Sequence, residues 1–453
     1  MNSFMIAFGL ASIALVLGTL FRAKIGFLRN MLVPASVIAG ILGLIFMNIM
    51  QACGFGLGGA DTNMYTEIVN QLFTVSFIAI ALTGSSSRND SSSKNILKGT
   101  MGMGLVWCVL YALTACVGIV IIGVIGKSFG MDTVYGSLIP FAFTQGPGQA
   151  ASFGAVYEQF GWENAAMVGV TFAAIGFLVA FLVGIPAAKM GIKRGLAKNC
   201  GEIDSTILKG YYKKEEQPNH NVTDTTYNGN IESMGFHFAI IGLCYVGAIG
   251  ISKLFALVPG FIGQSMGGLL FFNGMLAAYV VKFLMKKFKV DFMLDDGLLN
   301  KVTGWTSDYL VVCAFMAISF NVIGKWMAPI CIEAAIVTAI TVIVCFYFGK
   351  RFGGSNDFER TLGLYGTSTG TIPSGIALTR IVDPEFKTTT SIELGLMNLV
   401  MMLTTPMYII LPGFASGQIP TTIALGASLA LVIIYLIIMK VTKCWGKKTY
   451  SWK

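Results

Sequence analysis

At 453 residues, with 55% of them apolar and 12% charged, the chain stands far from soluble proteins, in which about 25% of residues are charged. Its two histidines, His220 and His237, cannot assemble a His-rich metal centre, and its nine cysteines show no CxxC spacing, so metal-dependent and disulfide-rich classes are excluded. The formal charge of +9 sits beside hydrophobic segments, as membrane topology requires, and not in a stripe suited to nucleic acid.

About 20 mostly apolar residues cross roughly 30 Å of hydrocarbon. The first such run, 4–21, follows no Lys or Arg and precedes no small-residue cleavage site, so it reads as a retained span with its N-terminus outside. Further runs lie at 31–53, 68–84 and 99–125. Segment 134–160 is too polar and too interrupted by Gly and Pro to cross as a simple helix; it is expected to form a re-entrant hairpin, and 164–188 closes the first half. The polar stretch 189–233 reads as a cytoplasmic linker, where the Asn-Val-Thr at 221–223 is a chance match to a glycosylation acceptor.

The second half repeats the plan, with spans at 234–256, 259–281, 305–323 and 329–349, a hairpin at 361–384 and a span at 389–411. An interfacial helix is expected at 287–299, with Asp295 and Asp296 facing water, and an extra span at 421–439 leads to a basic tail. Threading these eleven spans from an external N-terminus places every one of the 31 Lys and Arg residues except Lys127, Lys253 and Lys325 on the cytoplasmic side, with the C-terminus.

The halves share local sequence. Leu32-Val33-Pro34 opens the second span and Leu257-Val258-Pro259 the seventh, each followed by glycines; Phe77-Ile78-Ala79-Ile80 resembles Phe315-Met316-Ala317-Ile318. Five spans is an odd number, so the second copy enters from the opposite side. The expected fold is an all-α integral membrane protein of two inverted repeats, 1–188 and 234–411, each of five transmembrane helices plus a re-entrant hairpin, with 412–453 an extra C-terminal span and tail. The hairpins then dip in from opposite faces and their tips meet near mid-bilayer.

The first tip reads from Phe143 to Ser152 and the second from Tyr365 to Gly375. Gly and Pro interrupt helices there, freeing backbone groups that in a membrane need new partners. Half-helix N-termini favour an anion such as a carboxylate, which makes Gln145, Gly146, Gly148, Gln149, Ser152, Thr369, Gly370, Thr371 and Ser374 the substrate candidates. Thr371 is placed to cap a half-helix beginning near Pro373. Freed carbonyls with the hydroxyls of Thr144, Thr367 and Ser368 suit sodium, as do the intramembrane carboxylates Glu333 and Glu393, each a cation or proton site. Against this stands close helix packing for the small residues and a paired or snorkelling carboxylate for each Glu. Asn70, Gln71, Asn273, Asn321 and Asn398 read as interhelical hydrogen-bonding residues, and Arg380 as reaching the cytoplasmic interface.

Pro34 with its glycine-rich span, the Thr144-to-Ser152 tip, the Gly366-to-Ile376 tip and the five-plus-hairpin plan together resemble the glutamate:sodium symporters, over nearly the whole chain up to about Leu411. The resemblance implies an elevator-type homodimer in the plasma membrane, with the hairpins in a moving transport domain that carries sodium and a small acidic amino acid. No cofactor is implied beyond sodium as coupling ion. Gly146-Pro147-Gly148-Gln149 departs from the family's first tip in lacking a histidine, which leaves other carboxylates or amino acids open as substrate. Competing functions are a proton- or sodium-coupled hydroxycarboxylate carrier, an efflux antiporter and a passive channel. No Ser-His, Cys-His or metal constellation points to an enzyme.

Overall fold

A computed structural model describes residues 3–30, 33–83, 93–197, 224–227, 229–384 and 387–451. Leu32, Cys200, His220 and the Asn-Val-Thr of the linker, and the Asn398 side chain, lie outside the described residues. The helices in chain order are α1 (Ser3–Lys24), α2 (Gly26–Asn30), α3 (Ala35–Ala52), α4 (Thr62–Leu82), α5 (Ser93–Ile125), α6 (Thr133–Gly136), α7 (Ile139–Phe143), α8 (Pro147–Gln159) and α9 (Ala165–Lys193). After the linker come α10 (Ser233–Ala256), α11 (Phe261–Gly268), α12 (Leu270–Lys287), α13 (Asp296–Met316), α14 (Phe320–Ile323), α15 (Met327–Gly349), α16 (Asp357–Thr369), α17 (Ile372–Val382), α18 (Thr390–Met401), α19 (Met407–Ala415) and α20 (Thr421–Val441). No strand occurs among the described residues.

Among the described residues eight helices are long and apolar enough to cross a membrane, and ten if each of two bent pairs counts as one span. One pair is α11 and α12, bent by 72° at Leu269; the other is α18 with its 3-10 extension and α19, bent by 52°. The chain is therefore a multi-pass membrane protein. Polar residues fix several helix starts by accepting from otherwise unpaired backbone N–H groups. Asp61 accepts from Met64 before α4 at 2.8 Å, Glu232 from Gly235 before α10 at 2.9 Å, and Asp295 from Leu298 before α13 at 2.8 Å.

The helices pack as two bundles. In the first, α4 lies against α13; α3 flanks α13 and α12 flanks α4, with α1 outside α3 and α10 outside α12. Glycines bring α3 onto α13: Gly40 faces the Phe315 ring and Gly43 the Met316 side chain. In the second bundle α15, α18 and α20 pack along α5, while α9 lies against both broken pairs, α7–α8 and α16–α17. The bundles meet where α4 touches α8 and α13 touches α9.

Three expectations are corrected. Ten of the eleven expected spans fall on helices that qualify, and the eleventh, at 305–323, is displaced: α13 begins at Asp296, carries Asp296, Lys301 and Asp308, and ends at Met316 before an extended Ser319. The interfacial helix at 287–299 is instead the end of α12, a 3-10 turn at Asp291–Met293 and the capped start of α13. Asp295 is half-buried there, its own N–H donating to His237 Nε2 at 2.8 Å. Of the cysteines, read as small buried groups, Cys53 and Cys331 are exposed.

Substituting Gly40→Ala places a methyl 2.5 Å from Phe315 Cδ2, overpacking that costs about 1–3 kcal/mol. The purified variant should melt a few degrees below the parent; an unchanged midpoint would contradict this account of the α3–α13 contact.

Candidate substrate and ion site

Both expected hairpins are broken helices. α7 stops at Phe143 and α8 starts at Pro147; α16 stops at Thr369 and α17 starts at Ile372. Gly146, the residue before α8, has φ +84°, a left-handed value that favours glycine. A methyl there would also lie 2.5 Å from Thr371 Cγ2 and 3.2 Å from the Gly370 carbonyl oxygen. The two tips therefore touch, N-cap residue against N-cap residue, and only glycine fits at 146. Gly176 of α9 supports the contact from behind, facing the Thr369 carbonyl and the Phe143 ring.

Two helix N-termini thus come together inside the protein. The first amides of a helix have no intrahelical acceptor, and neither α8 nor α17 receives a side-chain cap. Thr371 occupies the capping position as expected, but its hydroxyl makes no capping bond, and the helix begins at Ile372, with Pro373 second. Pro147 and Pro373 have no N–H to offer. The donors at the tips are the amides of Gly148, Gln149, Ile372 and Ser374, beside two partial positive charges.

The opposite ends of the broken pairs, at Thr144 and Thr369-Gly370, supply carbonyls. The Thr144 carbonyl accepts from Trp107 Nε1 at 2.9 Å. The hydroxyls of Thr144, Thr367 and Thr369 each donate one turn back, to Pro140, Gly363 and Tyr365 carbonyls at 2.5, 2.9 and 2.8 Å. Their oxygens keep lone pairs for a cation. Ser368 Oγ is buried without an oxygen or nitrogen partner, beside the Cys345 thiol.

Gln149, fully buried, is held at both ends: Tyr111 donates to its Oε1 at 3.0 Å, and its Nε2 donates to Tyr408 at 2.9 Å. Ser152 donates to Asn70 Oδ1 at 2.5 Å, tying α8 to α4, and Gly148 lies flush against Phe73 of α4. Gln145 and Thr371 are half-buried, Pro373 is exposed and Ser374 is buried. Gly146, Gly370 and Thr371 are in mutual contact, and Thr144, Gly148, Gln149, Thr369 and Ser374 lie within one helical turn of it. Ser152 and Thr367 lie about a turn further away. Trp107, Tyr111, Tyr408 and Arg360 were not among the sequence candidates; their signal was a polar atom within otherwise apolar or hairpin sequence. Arg380 is exposed on the last turn of α17.

The sequence model of the sodium/glutamate symporter family matches residues 3–388. The chain belongs to that family. No curated protein matches it. Membership makes this symporter a transporter, not an enzyme, and supports sodium-coupled glutamate transport with sodium as the coupling ion.

The symporter's two intramembrane glutamates stand away from the tips, each against a glycine of α5. At Gly99, Glu393 accepts from Arg360 through both oxygens, at 2.7 and 2.6 Å, and from Thr389 at 2.8 Å. Arg360 also pairs with Asp357 at 3.0 Å and donates to the Asn95 carbonyl at 3.2 Å. Asp357 in turn accepts from the amides of Gly353 and Gly354 and the Thr449 hydroxyl. Glu393 is thus committed to an internal ion pair at the base of the second hairpin. Glu333 faces Gly118, about 28 Å away along α5 at 1.5 Å per residue.

Removing one partner of a buried ion pair leaves the other unpaired, a loss of about 3–5 kcal/mol. Glu393→Gln or Arg360→Met alone should lower the melting temperature sharply, and the double variant should recover much of the loss. Additive losses would show that the pair is not coupled.

Proposed function

We propose that this chain is an elevator-type sodium–glutamate symporter whose substrate sits where the N-termini of α8 and α17 meet. The observation that carries the reading is that N-cap to N-cap contact. Two partial positive charges and four free amides repel and go unsatisfied unless a negative group joins them. Glutamate has two carboxylates, one for each helix end. Gln145, Gly146, Gly148 and Gln149 would meet one, and Thr369, Gly370, Thr371 and Ser374 the other, with Ser152 close by. The carbonyl ends with Thr144, Thr367 and Ser368 form a hard-oxygen site for sodium. Glu393 leaves this donor set because Arg360 neutralises it.

The inverted repeats, 1–188 and 234–411, are supported by packing that reads the same in both halves. α1 lies on α3 as α10 lies on α12, α3 lies on α13 as α12 lies on α4, and α5 lies on α15. Five spans plus hairpin 134–160 then match five spans plus hairpin 361–384, with 189–233 as the cytoplasmic linker and 412–453 as the extra span and tail. The first bundle is the scaffold, through which two copies form a homodimer, and the second is the moving domain. The N-terminus faces outside and the basic tail the cytoplasm of a plasma membrane.

Uptake of labelled glutamate into proteoliposomes should require an inward sodium gradient and stop when choline replaces sodium. Dicarboxylic amino acids should compete at least tenfold better than glutamine, which lacks the second carboxylate. Uptake undiminished in choline would remove the coupling, and equal competition would remove the two-carboxylate reading.

A further inference from the structure

Glu333 is fully buried on α15, and neither carboxylate oxygen has a hydrogen-bond partner. Its Oε1 and the Gly136 carbonyl oxygen lie 2.4 and 2.1 Å from the position that a methyl on Gly118 would occupy, so the two acceptors stand no more than 4.5 Å apart, and neither Glu333 oxygen receives a donor. The Gly136 carbonyl is itself short of a donor, because the residue four places on is Pro140, which has no N–H. Around them the surface is apolar, with Ile139 at Gly118 and Ile330, Ala334 and Val337 on the same buried face of α15.

An unpaired carboxylate in such surroundings is strongly disfavoured unless something positive neutralises it. No basic side chain among the described residues does so. α5 carries no charged residue between Lys98 and Lys127, and α9 none before Lys189. The charged groups of α16, Asp357, Glu359 and Arg360, lie on its first turn at the Gly99 end, and Lys325 before α15 sits over the Trp326 ring at 4.9 Å. The nearby titratable groups are turned elsewhere. Cys116 points to the Leu425 carbonyl, Cys345 lies by Ser368, and Tyr365 donates to the Val179 carbonyl.

We propose that the Glu333 carboxylate, with the Gly136 carbonyl, binds a monovalent cation, sodium or a proton, at the base of the first hairpin. The two oxygens come from different elements, α15 and the segment leading into α7. A cation between them joins the hairpin base to α15, and its loss sets two acceptors against each other. Occupancy is thereby linked to how the first hairpin seats on α5. The site is separate from the tips and gives the carrier a second place at which an ion gradient can act. This deepens the symporter reading, on which its role in transport rests.

The test is thermal unfolding of the purified protein without glutamate, so that it stands apart from the substrate assignment. Wild type and Glu333→Gln are compared over a sodium series at fixed pH and a pH series in choline. Gln keeps the shape, removes the charge and offers Gly136 a donor; Glu333→Met, of similar volume, replaces it if Gln does not fold. Well above the dissociation constant, tenfold more free cation raises the folded-to-unfolded ratio about tenfold through one site. A sodium-dependent gain smaller in the variant by that factor identifies sodium. An unchanged sodium series with a gain on acidification confined to wild type identifies a proton. Parallel curves for wild type and variant in both series would overturn the proposal.

Discussion

Helix N-termini repel one another, and a membrane interior offers no water to soften that repulsion, yet α8 and α17 begin against each other. The contact exists because Gly146 combines a left-handed φ with the absence of a side chain exactly where Thr371 stands. With Thr371 opposite, a Cβ at 146 would press on its Cγ2 methyl and force the tips apart. Around this meeting the second bundle is arranged as a set of restraints. Gly176 lets α9 pass behind both tips, Trp107 holds the carbonyl at the first break, and Tyr111 with Tyr408 clamps Gln149 from two different helices. The polar groups left over are amides on one side and carbonyls with hydroxyls on the other. That division into an anion-seeking and a cation-seeking half is what a symporter of a carboxylate and sodium needs.

α5 connects this centre to both faces of the membrane. At one end Gly99 admits the Arg360–Glu393 pair, which ties the base of the second hairpin to α18 and, through Asp357 and Thr449, to the tail. At the other end Gly118 admits Glu333 beside the first hairpin. The two carboxylates occupy comparable positions with opposite outcomes. The first is neutralised permanently by an arginine and acts as a clasp. The second has no hydrogen-bond partner among the described residues, so under the proposal its neutralisation depends on what the solution supplies.

Much of this was legible in the sequence because Gly and Pro act locally. The breaks at 144–146 and 370–371 follow from residues inside each segment, and so did the candidates Gly146, Gly370 and Thr371. Partners brought by folding carry no local sign of what they meet: Tyr408 reaches Gln149 from 259 residues away, and Arg360 lies one residue before the expected second hairpin. Glu393 as a cation ligand was a fair expectation from an apolar run alone, since the run does not show the arginine. The span expected at 305–323 was misplaced for a related reason. Apolarity located its middle, but the helix start was set by Asp295 capping Leu298, ten residues earlier than the apolar window.

The most direct measurement is whether the tips can be joined. A Cβ on residue 146 would stand 3.9 Å from that of Thr371, within the range of a disulfide. In a chain stripped of its native cysteines, Gly146→Cys with Thr371→Cys should cross-link under mild oxidation. After proteolytic cleavage of the linker, the two halves should run as one band until reductant separates them. Halves that separate without reductant, in protein shown to be folded, would contradict the meeting of the tips and the carrier mechanism built on it.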